Sequence, residues 1–90
     1  MVSKNFKVTL ETGIHAQSAV HLVNQAIKFN CNITLEVEGK KINMKSIMGV
    51  MSLGVYQGAV ITISCDGSDE SAALAELENQ IYQLKIGKEY

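Results

Sequence analysis

The chain contains no arginine, no proline and no tryptophan. All eight of its cations are lysines. Without arginine it lacks the planar guanidinium that usually clamps a phosphate through two parallel hydrogen bonds. Long apolar runs are also missing. None approaches the ~20 residues that a membrane span needs, and the opening MVSKNFKVTL is too polar for a secretory signal. A cytoplasmic protein with no membrane insertion is the expectation. Cysteine is scarce. Cys31 and Cys65 stand far apart, in no CxxC and no Cys/His cluster. No metal and no cofactor is expected, and both thiols read as reduced. Excess charge is missing too. The net charge of −1 argues against direct nucleic-acid binding, which needs a basic face.

What is present is enough for one domain spanning residues 1–90. With 47% hydrophobic residues, a single core is available to a chain of this length. Lys4 to Leu10 alternates, with Phe6, Val8 and Leu10 on one face, and predicts a half-buried strand. Glu11-Thr12-Gly13 breaks it. Ala19, Leu22, Val23 and Ala26 then follow helical spacing, predicting an amphipathic helix from Ala16 to about Lys28. Ile33, Leu35 and Val37 alternate again. Glu38-Gly39 suits a tight hairpin turn, and Lys40 to Met44 is a third strand. Ser46 is a good N-cap for a short helix stopped at Gly54. Ala59 to Cys65 is a fourth strand, with Ile61, Ile63 and Cys65 on one face. Ser68 or Asp69 caps a last helix marked by Leu74, Leu77, Ile81 and Leu84. Ile86 to Tyr90 reads as a tail. The order β-α-β-β-α-β-α predicts an α+β fold: a four-stranded antiparallel sheet covered on one face by three helices, the other face left wet.

Two stretches carry chemistry. In TGIHAQSAVH, Thr12 to His21, His15 sits where a turn enters a helix. One reading makes it a surface residue or an N-cap substitute. The other starts from the unpaired amides and partial positive charge of a helix N-terminus, which form an anion site. There a neutral imidazole nitrogen can accept a phosphoryl group, cradled by the amides of Ala16, Gln17 and Ser18, and Gly13 lets the chain bend just before it. No second acid or base lies nearby in sequence, so no hydrolytic dyad is implied. His21 reads as a solvated helix residue. The other stretch, KSIMGVMSLG, is too apolar for a short helix that can bury one side. Either its side chains all fill the core, or Ile47, Met48 and Met51 face water as a docking patch extended by Val20. Ser46 reads as a structural cap. Phosphate on its hydroxyl would be tolerated by the helix dipole and would change the adjoining surface by about −2 charge.

GIHAQSAV at 13–20 and NMKSIMGVMSLG at 43–54 resemble the two signature segments of the HPr family. These are the histidine-containing phosphocarriers of the bacterial sugar phosphotransferase system, of the Gram-positive type with a regulatory serine. The order of strands and helices agrees over essentially the whole chain. The resemblance implies an HPr-like open-faced β-sandwich. It implies that His15 takes phosphate through Nδ1 from enzyme I and passes it to IIA subunits of sugar permeases. It makes the chain a phosphoryl carrier with a phosphohistidine intermediate rather than an enzyme in its own right. Ser46 would be the target of HPr kinase/phosphorylase, and the phosphorylated form would dock on catabolite control protein A in carbon catabolite repression. Ile47, Met48 and Met51, with Val20 opposite, match the family's partner-binding patch.

The chain departs from the family's GIHARPA at two places. Gln17 replaces the arginine that helps hold the phosphoryl group, and Ser18 replaces the proline. A charge-assisted hydrogen bond is worth roughly 1.5–3 kcal/mol, so the first loss corresponds to about 10- to 100-fold in a rate or affinity. The alternative is a regulator resembling Crh, the HPr paralogue that signals through the serine with little or no transfer at the histidine. Crh proteins typically lose the histidine and keep the arginine, the reverse of this chain. A third reading, an unrelated small α+β binding module for a metal or small effector, has the Ser46 segment against it.

Overall fold

The computed structural model describes Met1 to Tyr90. Its elements are β1 (Val2–Val8), α1 (Ala16–Ala26), β2 (Asn32–Val37), β3 (Lys40–Asn43), α2 (Ile47–Ser52), β4 (Val60–Asp66), α3 (Glu70–Gln83) and β5 (Gly87–Glu89). The sheet order is β3-β2-β4-β1-β5, and every neighbouring pair is antiparallel. The expected α+β architecture holds: an open antiparallel sheet with three helices packed on one face.

The alternation in the sequence decides which face they cover. Phe6, Val8, Ile33, Leu35, Val37, Ile61, Ile63 and Cys65 point under the helices and are buried. Leu22, Val23, Val50, Ala73, Leu77 and Ile81 close the core from above. Ser3, Asn5, Thr34, Glu36, Thr62 and Ser64 hold the intervening positions and leave a polar outer face.

The strand count differs from expectation. The segment read as a tail turns back to make β5, a fifth strand paired with the outer side of β1: Phe6 with Glu89, Lys7 with Lys88, Val8 with Gly87. The cause is a sharp reversal after α3. Lys85 adopts a left-handed φ of 55°, and Ile86, fully buried, donates its N–H to the Ile81 carbonyl. The Ile86 carbonyl then accepts from Thr9 and Leu10.

The cap of α3 is a second refinement. Asp69 occupies the N-cap position but makes no side-chain cap bond. Its carboxylate instead accepts the amides of Asn30 and Cys31, at 2.8 and 3.0 Å, fastening the start of β2 to the start of α3. No helix is long and apolar enough to cross a membrane.

Candidate phosphoryl site and docking face

The site is built around the entry to α1. Gly13 has a φ of 67°, and a Cβ there would collide with the Val55 carbonyl oxygen. That same oxygen accepts the amide of Ile14 at 3.1 Å. The turn is therefore pinned against the exit of α2, and only glycine fits the approach. His15 follows in extended conformation, φ −116° and ψ −169°, as the N-cap of α1. The N-cap reading and the nucleophile reading thus fall on the same ring.

The ring's orientation bears directly on phosphoryl chemistry. His15 Nδ1 accepts the backbone N–H of Gln17 at 3.4 Å, so its lone pair faces the open end of the helix. The Ala16 amide has no acceptor within the protein, and the Ser18 amide turns to the His15 side chain as one half of a capping box. Ser18 is the one buried polar residue of the chain. Its hydroxyl accepts from the His15 amide at 3.0 Å and lies 3.1 Å from the His15 carbonyl, to which it donates. Ser18 thereby locks the His15 backbone through its side chain, a role the bare sequence did not assign. Only N-cap pairing rules applied to an imidazole cap would have suggested it.

A hollow of about 160 Å³ opens beside the ring, lined by Leu10, His15, Gln17, Ser18, His21 and Leu84. His21 is solvent-exposed, as expected, but it also shares this hollow with His15. The clue in the sequence was spacing: His21 lies one helical turn beyond Gln17, on the same face. Lys45, at the entry to α2, is committed elsewhere. Its Nζ donates to the Phe29 carbonyl at 2.6 Å, just past the other end of α1. A larger hollow of about 480 Å³ lies between β2 and β3, lined by Asn32, Thr34, Lys41 and Asn43 among others, and includes neither histidine.

Ser46 caps α2. Its Oγ accepts the Gly49 amide at 3.0 Å, and the side chain stays exposed. Gly49 matters because a Cβ there would sit 3.2 Å from that oxygen. α2 packs against α1, with its exit at the His15 turn and its entry near Phe29. Ser46 and His15 therefore lie at opposite ends of α2, a helix about 9 Å long. Val50 alone of the α2 helix is buried, while Ile47, Met48 and Met51 are 38%, 83% and 45% exposed. Val20 on α1 is 37% exposed. Ile27, 56% exposed at the end of α1, was not anticipated as part of this surface. It stands two turns from Val20 and repeats its side of the helix.

Cys31 and Cys65 are free and buried. Burial, then the neighbouring Cys31, pushes the Cys65 thiol up to about 12, and burial raises Cys31 as well. Protonated thiols are poor nucleophiles, so the pair belongs to the core. No group of three or more His, Cys, Asp or Glu is arranged to hold a metal ion.

Comparison with known proteins agrees with this geometry. Residues 2–83 match the family model described as the PTS HPr component phosphorylation site. Among solved structures, the histidine-containing phosphocarrier protein of Mycoplasma is 32% identical, with a TM-score of 0.94, covering 96% of this chain and 98% of that one. Phosphocarrier protein HPr from Bacillus anthracis is 42% identical, with a TM-score of 0.81, covering 88% and 94%. Crh, the Bacillus subtilis catabolite-repression protein solved as a swapped dimer, is 41% identical, with a TM-score of 0.73, covering 92% and 95%. By its sequence match, its fold and the setting of His15, this chain belongs to the HPr family of phosphocarrier proteins.

Proposed function

We propose that the chain carries phosphoryl groups on His15, taking them from phosphorylated enzyme I and delivering them to IIA domains of sugar permeases. The supporting observation is the aim of Nδ1. It meets the Gln17 amide at 3.4 Å, at a helix end where the Ala16 amide is unpaired and the Ser18 amide also turns to the ring. A contact that long holds the ring in place while leaving the lone pair easy to free. In the forward step the Nδ1 lone pair forms the N–P bond as the donor's P–N bond breaks, its electron pair returning to the donor imidazole. Nε2 keeps its proton. The Gln17 amide, released from Nδ1, is then positioned for a phosphoryl oxygen, with the Ala16 and Ser18 amides beside it. Helix-end stabilisation of about 0.3–1 kcal/mol is modest, which suits a carrier that must give the group away.

Regulation belongs to the same reading. Ser46 is the residue we assign to HPr kinase/phosphorylase, and its phosphorylated form to catabolite control protein A. Phosphate at this exposed cap adds about −1.5 to −2 charge beside Ile47, Met48 and Met51 without opposing the helix dipole. These apolar side chains, with Val20 and Ile27, form the face on which partners would dock.

Gln17 favours one rival. Without the arginine, the chain would act as a Crh-like regulator through Ser46, with His15 a contact residue. Phosphoenolpyruvate and enzyme I separate the two. Acid-labile phosphate on the wild type that disappears in His15→Ala is the expected outcome. An unlabelled wild type whose Ser46 is still labelled by the kinase with ATP would leave the regulator.

A further inference from the structure

The hollow beside His15 contains a second imidazole for which the phosphocarrier reading has no role. We propose that His21 is a phosphoryl-binding residue in this chain: its ring N–H donates to an oxygen of the phosphoryl group on His15 and supplies part of what the absent arginine would give. The inference rests on His15 being the acceptor.

Five observations carry it. His15, Gln17 and His21 line one hollow of about 160 Å³, large enough for a phosphoryl group with its three oxygens. The chain has no arginine, and the Lys45 ammonium is tied to the Phe29 carbonyl. Gln17 can donate but carries no charge, which leaves His21 as the side chain of the hollow, other than the acceptor, able to be cationic. The elements packed against it contribute only Leu10 and Leu84, both partly buried, and no carboxylate hydrogen-bonds either histidine. An apolar wall of this kind strengthens a hydrogen bond to a phosphoryl oxygen. The His21 side chain makes no hydrogen bond within the protein, so its ring is free to turn toward the incoming group. No bond to His21 forms or breaks during transfer, and its proton stays on its own ring.

The test uses the full chain and four proteins: wild type, His21→Ala, His21→Gln and His21→Arg. Each is first charged on His15 with phosphoramidate, a small P–N donor that needs no partner protein, and the ring ¹⁵N resonances are recorded before and after. Single-turnover uptake from phosphorylated enzyme I is then timed. The His21 ring of the wild type should shift on charging. Uptake should fall about tenfold in His21→Ala, the lower end for one charge-assisted hydrogen bond. It should recover in part in His21→Gln and fully in His21→Arg. An unmoved His21 ring, or a wild-type rate in His21→Ala, overturns the inference. A wild type that is charged by phosphoramidate yet takes nothing from enzyme I defeats the proposed carrier function instead. The ring shift alone then decides the role of His21.

Discussion

Position 17 carries an amide where the GIHARPA pattern of the family carries a guanidinium. The two side chains differ in charge and in donor number, yet the backbone N–H of residue 17 still points at His15 Nδ1. Backbone preorganisation and side-chain charge are therefore separable here. Gln17 is exposed, so Gln17→Arg changes the second and leaves the first alone. Uptake of phosphate from enzyme I should rise about 10- to 100-fold in this variant, the kinetic equivalent of one charge-assisted hydrogen bond. Rapid-quench measurement of phosphohistidine checks it, and an unchanged rate would show that the missing charge does not limit transfer. How much could be read residue by residue follows the same division. His15 and Ser46 were legible as helix caps because a turn glycine, a helix start and a cap leave local marks. The hydroxyl lock of Ser18 was not, because it needs an imidazole to act as the cap, and the place of His21 in the hollow was not, because Leu10 and Leu84, which complete that hollow, are distant in sequence.

A six-residue helix forms when its ends and its neighbours hold it, since isolated helices of that length are marginal. For α2 these supports are the Ser46 cap, the burial of Val50 and the left-handed Gly54 that ends it, with φ 58°. Removing the cap hydroxyl should then cost stability before any kinase is involved. Ser46→Ala is expected to lose about 1 kcal/mol, while Ser46→Asp, which keeps an oxygen acceptor for the Gly49 amide, should stay near wild type. Urea denaturation reads both. An alanine variant as stable as wild type would mean that packing against α1 alone holds the helix. Only wild type, of these three, should take phosphate from ATP through the kinase at this position. Most elements were legible because alternation and helical spacing are strong over their length. β5 was not. Gly-Lys-Glu has no alternation, and its strand exists because Lys85 reverses the chain and Ile86 plugs the core.

Over the molecule as a whole, α3 is the element most tied by charge. The Asn30 amide, foremost among its donors, holds the Asp69 carboxyl below its usual range. The Gly67 amide, helped by the N-terminal ammonium 3.2 Å away, does the same for Glu70. The Tyr82 hydroxyl and then Lys4, 3.0 Å away, lower Glu78. A depressed folded value means a contribution present above the ordinary carboxyl range of about 4, and lost as pH falls through the folded value. Stability should therefore be level from neutral pH down to about 5 and decline below about 4. The opposite sign operates at high pH. The Glu78 bond raises Lys4, and the same carboxylate pushes Tyr82 up to about 12. Both contributions are present below the ordinary values near 10 and fade as pH rises through the folded ones. The most direct check is Asp69→Asn, whose amide oxygen can replace one carboxylate contact but does not titrate. Its Tm should lie below that of wild type at pH 7, and the gap should close as pH approaches 3. A gap independent of pH would mean that the Asp69 clamp acts through shape and hydrogen-bond count, with its charge contributing nothing to holding α3 on the sheet.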